Sequence, residues 1–282
     1  MSTRGEPWRR TARAFHFRAD PDWAVPALER AGVDCCALAN NHVLDFETEA
    51  LADTLAALDS AGIANSGAGP DRSAALDPAV VPVGPLTVAV VSLTDNTVEY
   101  AATADRPGTA YVDIDVEDPA TRATVRECLH RARAHDPDLL VASLHWGPNM
   151  TVAPPGRFRR FARWLVDAGV DVVHGHSAHV FHGVEVYRGR PVLYDTGDFV
   201  DDYAVDGRLR NDRSFLFDLT VTEEGRPTRL RLEPTEISDC AVHRAPPDVA
   251  AWSRERLRER SAPFGTTFER DGDALVLDVD EG

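Results

Sequence analysis

The 282-residue sequence contains no lysine: all 30 of its basic residues are arginine, set against 46 acidic ones, for a formal net charge of -16. That absence excludes a phosphate-cradling Walker lysine, a Schiff-base lysine and a Ser-Lys catalytic pair. So large an acidic excess also excludes a general nucleic-acid binder, whose affinity rests on neutralising phosphates with Lys or Arg. Cysteine is scarce as well. Cys35 and Cys36 are adjacent, Cys128 and Cys240 stand alone, and no Cys-x-x-Cys spacing occurs. Neither a disulfide framework nor a zinc knuckle is indicated, and buried reduced thiols are expected. No run approaches the roughly 18 apolar residues that span a bilayer. Met1 to Asp20 carry five arginines and no apolar stretch, which is not the pattern of a secretory leader. As encoded, the chain reads as cytoplasmic and without a membrane segment.

What is present is apolar enough, at 43%, for a large buried core. Strand and helix patterns alternate over about two thirds of the chain. Val33 to Leu38 is a short apolar run, and Glu47 to Ala61 reads as a helix with Leu51, Leu55 and Leu58 on one face and Gly62 as its stop. Val88 to Leu93 and Leu139 to Leu144 read as buried strands, with a helix over Ala120 to Ala134 between them. Arg157 to Ala168 reads as a helix with Phe161, Trp164, Leu165 and Ala168 on its apolar face, followed by a strand at Val170 to Val173. This grammar predicts an α/β core with helices covering the faces of a sheet. Beyond His182 it changes to hairpins around Arg188-Gly189-Arg190 and Glu224-Gly225, then a charged helix near Val249 to Arg260 and a strand at Ala274 to Val279. No Pro-, Gly- or Ser-rich linker separates two domains, so one domain is expected.

Several strands end in abrupt polarity: Asn40-Asn41-His42, Thr94-Asp95-Asn96, His145-Trp146-Gly147 and His174-Gly175-His176-Ser177-Ala178-His179. Ligands of open α/β sheets bind just outside the carboxyl ends of strands. Six of the ten histidines, His42, His145, His174, His176, His179 and His182, lie at or beyond such ends. Imidazole is the commonest neutral metal ligand, and strand ends can converge on one ion where a single helix face could not. Taken alone, His179 and His182 read equally well as satisfied structural residues, and His16, His130, His135 and His243 read as surface or structural. As a set, Asn-His, His-Trp-Gly and His-x-His fit one or two divalent ions that lower the pKa of bound water and clamp a phosphoryl group. A competing pattern, Gly175-His176-Ser177-Ala178, resembles the start of a nucleophile elbow and would make the chain a serine hydrolase using Ser177. The closing glycine is replaced by His179, and the segment after Val180 reads as strand where an elbow needs a helix.

Leu38-Ala39-Asn40-Asn41-His42 with Asp45, Ala61-Gly62-Ile63, Gly67-Ala68-Gly69, Ser143-Leu144-His145-Trp146-Gly147 and His174 to His179 together resemble the CapA-type proteins of poly-γ-glutamate (capsule) biosynthesis. The likeness continues through Gly183 to Phe199 with its Tyr194-Asp195-Thr196-Gly197-Asp198-Phe199 ending, and covers Phe15 to Ile237. It implies a calcineurin-like metallophosphoesterase sandwich, β-sheets flanked by helices, in which residues 15–237 form the metallophosphatase-like domain. Residues 1–14 would be a leftover loop or disordered start, and residues 238–282 a C-terminal helix and strand packed on the same domain. It further implies metal-dependent hydrolysis of a phosphoester or related bond. His42 would be the general acid, and Asn41, His145, His174 and His176 metal ligands, with His179 competing for the last place. Asp45, Trp146, Arg190 and Asp198 would be substrate-binding residues. The cofactor would be one or two divalent ions of Mn, Fe or Zn, and the substrate an anionic polymer or phosphoester. With no lysine, a substrate anion would meet arginine, for example Arg190 or Arg210, through its bidentate fork.

The resemblance has a gap. The superfamily's Gly-Asp motif at the end of a first strand, and the Asn-Leu-Glu motif of CapA-like chains, do not occur ahead of Phe15. The expectation is therefore a chain that starts after these motifs, with the first strands and the acidic half of the metal site missing. Two readings follow: a metal-dependent enzyme whose natural N-terminus is longer and could carry an export signal or anchor, or a non-catalytic, degenerate binding or accessory protein.

Overall fold

Helix starts and stops follow local chemistry. In the computed structural model, which describes residues 1–279, α1 (Pro21–Ala31) starts at Asp20, whose carboxylate accepts the Asp22 N–H, and ends at Gly32 in the left-handed region, where glycine carries no Cβ penalty. β1 (Cys35–Ala37) and β2 (Ala64–Ser66) pair in parallel, with α2 (Glu47–Ala61) as the crossover between them. α2 closes at Gly62 with φ 69, and Leu51 and Leu58 are buried on its inner face, as the periodicity predicts.

The chain divides into two compact units, Met1–His145 and Trp146–Gly282. In the first, β3 (Ala68–Gly69), α3 (Arg72–Ala75), β4 (Ala79–Val83) and β5 (Leu86–Thr94) follow, then β6 (Gly108–Thr109), α4 (Pro119–Arg133) and β7 (Leu139–His145). β5 pairs antiparallel with β4 and parallel with β7, and the register places Thr94 opposite His145. Two of the polar strand ends thus lie side by side. Asp118 caps α4 by accepting the Ala120 and Thr121 N–H groups, a contact worth about 1 kcal/mol. Residues 1–14 contain no helix or strand but are pinned: Trp8 is buried with Leu44, Leu51 and Tyr100, and its N–H donates to Asp45 O at 2.9 Å.

In the second unit, α5 (Gly156–Asp167) buries Phe158, Phe161 and Leu165. β8 (Val172–His176) pairs in parallel with β10 (Arg190–Leu193), and β9 (Val184–Tyr187) makes the predicted hairpin with β10. A separate antiparallel sheet holds β11 (Arg213–Val221), β12 (Pro227–Ser238), β13 (Ala241–Arg244), β14 (Glu269–Asp271) and β15 (Ala274–Asp278). α6 (Pro247–Ser261) buries Val249 and Leu257, and Leu257 joins Phe181, Phe215, Leu232 and Leu275 in one apolar cluster. The described part of residues 238–282 thus packs within this unit; residues 280–282 lie outside the described ones.

The architecture is the expected mixed α/β one, sheets flanked by helices, of metallophosphoesterase-like type. No described helix is long and apolar enough to cross a membrane. One expectation fails on packing. All four cysteines are free, but Cys240 is exposed and only Cys128 is fully buried, because Cys240 sits in the turn between β12 and β13 with φ 58.

Candidate functional site

In the first unit, polar chemistry gathers in the loop between β1 and α2. His42 Nδ1 lies 2.7 Å from Asp45 Oδ2. Asp45 is 1% exposed, and its carboxylate also accepts from Arg13 at 3.0 Å, the Phe17 N–H at 2.9 Å and the Tyr100 hydroxyl at 3.2 Å. Burial in this pocket pushes the Tyr100 hydroxyl well up from its ordinary value. Phe17 packs edge-on against the His42 ring with centroids 4.6 Å apart. Asn41 gives its carbonyl oxygen to Arg13, while its side-chain Oδ1 is buried and, among the described residues, has no hydrogen-bond partner. A buried amide oxygen in that state costs free energy, and a metal ligand is one resolution of it. His145 closes β7, its carbonyl oxygen accepting from Thr94 Oγ1 at 2.8 Å.

In the second unit, β8 carries His174-Gly175-His176. Side chains alternate along a strand, so both imidazoles share a face, with ring centroids 5.4 Å apart. His174 lines a cavity of about 330 Å³ with Leu193, Thr196 and Phe215, and its Nε2 meets Thr196 Oγ1 at 3.2 Å. Burial lowers its pKa to about 4, so the ring is neutral at pH 7, the form a metal takes. Beyond the strand, Ser177 and His179 have φ of 121 and 62, positions at which non-glycine residues are strained. This backbone sets His179 beside two carboxylates. His179, Asp198 and Asp201 each offer a ligand atom, and these atoms all lie within 4.8 Å of one another.

The electrostatics of that trio are unbalanced. His179 Nδ1 is 2.7 Å from Asp198 Oδ1, and this hydrogen bond raises the imidazole pKa. Burial, with Asp198 alongside, raises Asp201 to about 7. Oδ2 of Asp198 and Oδ2 of Asp201 are both buried without a hydrogen-bond partner among the described residues. Two carboxylates held together in this way raise the pKa of one of them, and either a shared proton or a cation between them relieves the crowding. The donor set, one imidazole nitrogen and two carboxylate oxygens, suits Mn, Fe or Zn. Nearby, Asp195 is fully buried, accepts from the Ala178 and Gly197 N–H groups at 2.7 and 2.9 Å, and is raised to about 7 by burial.

Other sequence candidates are placed away from such chemistry. Trp146 is 3% exposed, donates its indole N–H to Tyr194 O at 2.9 Å and packs against Phe158 and Phe161. Arg190 begins β10 and pairs with Asp171 at 3.0 Å. Because β10 runs parallel to β8, that pair lies at the opposite end of the two strands from His176. Arg210 is engaged by Asp212 at 2.8 Å. Ser177 is followed by irregular chain and then β9, with no helix, so the nucleophile-elbow geometry is missing and the serine-hydrolase reading falls. The sequence pattern alone did not single out Asp201, Arg13 or Tyr100. The spacing Asp198-x-x-Asp201 was a readable signal; the long-range partners Arg13 and Tyr100 left none.

A mixed α/β fold of metallophosphoesterase-like type, with histidines and carboxylates at strand ends, defines the class. Within it, residues 1–203 match the family described as "Bacterial capsule synthesis protein PGA_cap", and the chain belongs to that family. It is 39% identical over 260 residues to a Mycobacterium tuberculosis protein named "Probable polyglutamine synthesis accessory protein", covering 88% of this chain and 67% of the relative. It is also 28% identical to the capsule biosynthesis protein CapA of Bacillus anthracis, over 78% of this chain and 55% of that one. The PGA biosynthesis protein CapA of Bacillus subtilis is 27% identical, over 97% of this chain and 68% of that one.

Proposed function

We propose that this capsule-synthesis family protein carries out metal-dependent hydrolysis of a phosphoester or related bond in the making of poly-γ-glutamate or a similar anionic polymer. The observation that supports it best is the His179, Asp198 and Asp201 donor set with its two unsatisfied, buried carboxylate oxygens. These carboxylates supply negative charge that the sequence motifs had left wanting.

In the second unit His179, Asp198 and Asp201 would hold the ion, with His174 and His176 as further ligands; in the first, Asn41 and His145 are the ligand candidates and His42 the proton donor. When bound, a divalent ion supplies Lewis acidity and neutralises negative charge on the substrate. The chain's own contribution is to hold the His174 imidazole neutral by burial and to move a proton at His42. A chain of net charge -16 repels a polyanion, so a cation at the site serves recognition as well as chemistry.

The test is metal analysis of the purified protein together with hydrolysis of a chromogenic phosphodiester and of poly-γ-glutamate. Bound Mn, Fe or Zn is expected, and His145→Ala and His174→Ala should each lower turnover by at least the roughly 10- to 100-fold that loss of a ligand's own hydrogen-bond partner costs. Unchanged turnover in both variants overturns the site assignment. The second reading, a non-catalytic accessory protein, is favoured by the name of the M. tuberculosis relative; a pure protein that binds the polymer but holds no metal and hydrolyses neither substrate would establish it.

A further inference from the structure

We propose that Arg13 and Asp45 are positioning residues that hold His42 with its proton on Nδ1, leaving Nε2 as the nitrogen that gives or takes a proton. This deepens the hydrolase reading and rests on it for the role of His42, but the geometry stands independently.

The donors around Asp45 place the proton. Asp45 is sealed from solvent, and every contact on its carboxylate comes from a donor: the Arg13 guanidinium and Tyr100 hydroxyl on Oδ1, the Phe17 N–H on Oδ2. An ionised carboxylate only accepts, so the fourth contact, His42 Nδ1 at 2.7 Å from Oδ2, must also be a donor. The proton therefore sits on Nδ1 whether the ring is neutral or charged. The other ring nitrogen, Nε2, is left to act, as the lone pair of a base or the N–H of an acid. His42 is 31% exposed in its side chain and lines a cavity of about 480 Å³ with Asn40, Val43, Phe17 and Phe46, so the ring has an approach for a ligand.

Arg13 has no other evident use. Its side chain is 11% exposed and spans three points of the same loop system, the Asn41 carbonyl oxygen, Asp45 and Thr97 Oγ1 at 3.1 Å. Its guanidinium also lies over the Tyr100 ring, 5.0 Å from the centroid. Nη2 serves both the Asn41 carbonyl and Asp45 while Nη1 reaches Thr97 Oγ1, a span over two nitrogens of one plane that the single ammonium of lysine does not copy. Asp45, expected from sequence to meet substrate, cannot do so: its acceptor sites are taken inside the fold. It acts through His42.

The experiment is long-range proton–nitrogen NMR of the full chain labelled with ¹⁵N-histidine, the His42 signals being identified by their loss in His42→Gln. In the wild type His42 should show a protonated Nδ1 and an unprotonated Nε2 when neutral. Asp45→Asn should lose that pattern in favour of the Nε2–H form. Arg13→Ala should do the same in part, and Arg13→Lys, which keeps charge without the fork, should restore it incompletely. If Asp45→Asn does not fold, the wild-type tautomer and the two Arg13 variants decide the matter. Wild-type His42 protonated on Nε2, or a spectrum unmoved in the folded variants, overturns the proposal. A tautomer shift in a protein that hydrolyses nothing upholds the positioning geometry and removes the hydrolase reading, so the two failures are distinct. Where turnover is measurable, Asp45→Asn should lower kcat and leave KM within about twofold.

Discussion

His182 shows how one residue's surroundings decide between ligand and structural part. It is 6% exposed, its Nε2 meets the Thr151 carbonyl oxygen at 3.0 Å, and burial lowers its pKa to about 4 from 6.5. Arg260 adds to the same effect. The folded chain therefore keeps this ring neutral between about pH 4 and the unfolded value, while the unfolded chain takes up a proton there. Stability from His182 is complete above about pH 6.5 and is lost as pH falls towards 4, by up to roughly 3 kcal/mol. His182→Gln removes the titration. In urea unfolding, the stability advantage of wild type over this variant should shrink by about 2 kcal/mol between about pH 7.5 and about pH 4.5. Asp195, raised to about 7 by burial, works the other way, since it takes up a proton on folding. Only the difference between the two proteins isolates His182, and an advantage that does not change with pH would show the ring already charged in the fold.

At the scale of the element, β8 is legible because strand geometry is simple. Alternation sends His174 and His176 to one face and Gly175 to the other. On that other face the Tyr194 carbonyl and the Trp146 indole leave no room: a Cβ on Gly175 would fall against Tyr194 O and within 2.6 Å of Trp146 Nε1. Gly175→Ala should cost about 2 kcal/mol or more by overpacking, seen as a lower Tm and looser metal binding; a variant as stable as wild type would mean the Trp146 and Tyr194 packing yields freely. The stop at Gly62 and the hairpin of β9 and β10 were equally readable, being local. α1 was not, since Pro26 inside it reads as a breaker and only tertiary packing compensates the missing N–H. β4 was hidden for a like reason: Pro82 faces Thr87 in a strand paired on one side, with β5, where the lost donor is tolerated.

For the whole molecule, an ion at the proposed site would be linked to folding. An ion that binds the folded chain alone stabilises it by about 2.7 kcal/mol at a hundred times its Kd. Because His179, Asp198 and Asp201 come from two separated loop segments, they form a cluster only when folded. Added Mn²⁺ or Zn²⁺ should raise the Tm of wild type and of His42→Gln alike, and chelator should reverse it. The paired change Asp198→Asn with Asp201→Asn should abolish the rise, since it removes both carboxylates of the trio. An undiminished rise in that variant would move the ion away from this trio.

By itself the sequence determined the chemistry available: no lysine, histidines at strand ends, a family motif set in order, and an α/β alternation with its helix stops. These are properties of composition and of periods two and 3.6, which a single strand or helix carries alone. Tertiary structure decided what each group does. It buried Asp45 among four donors, turned Trp146 into core, tied Arg190 to Asp171, and brought Asp201 beside His179. Those outcomes depend on which distant residues meet, as Arg13 meets Asp45 across 32 positions, and no local pattern encodes such a meeting.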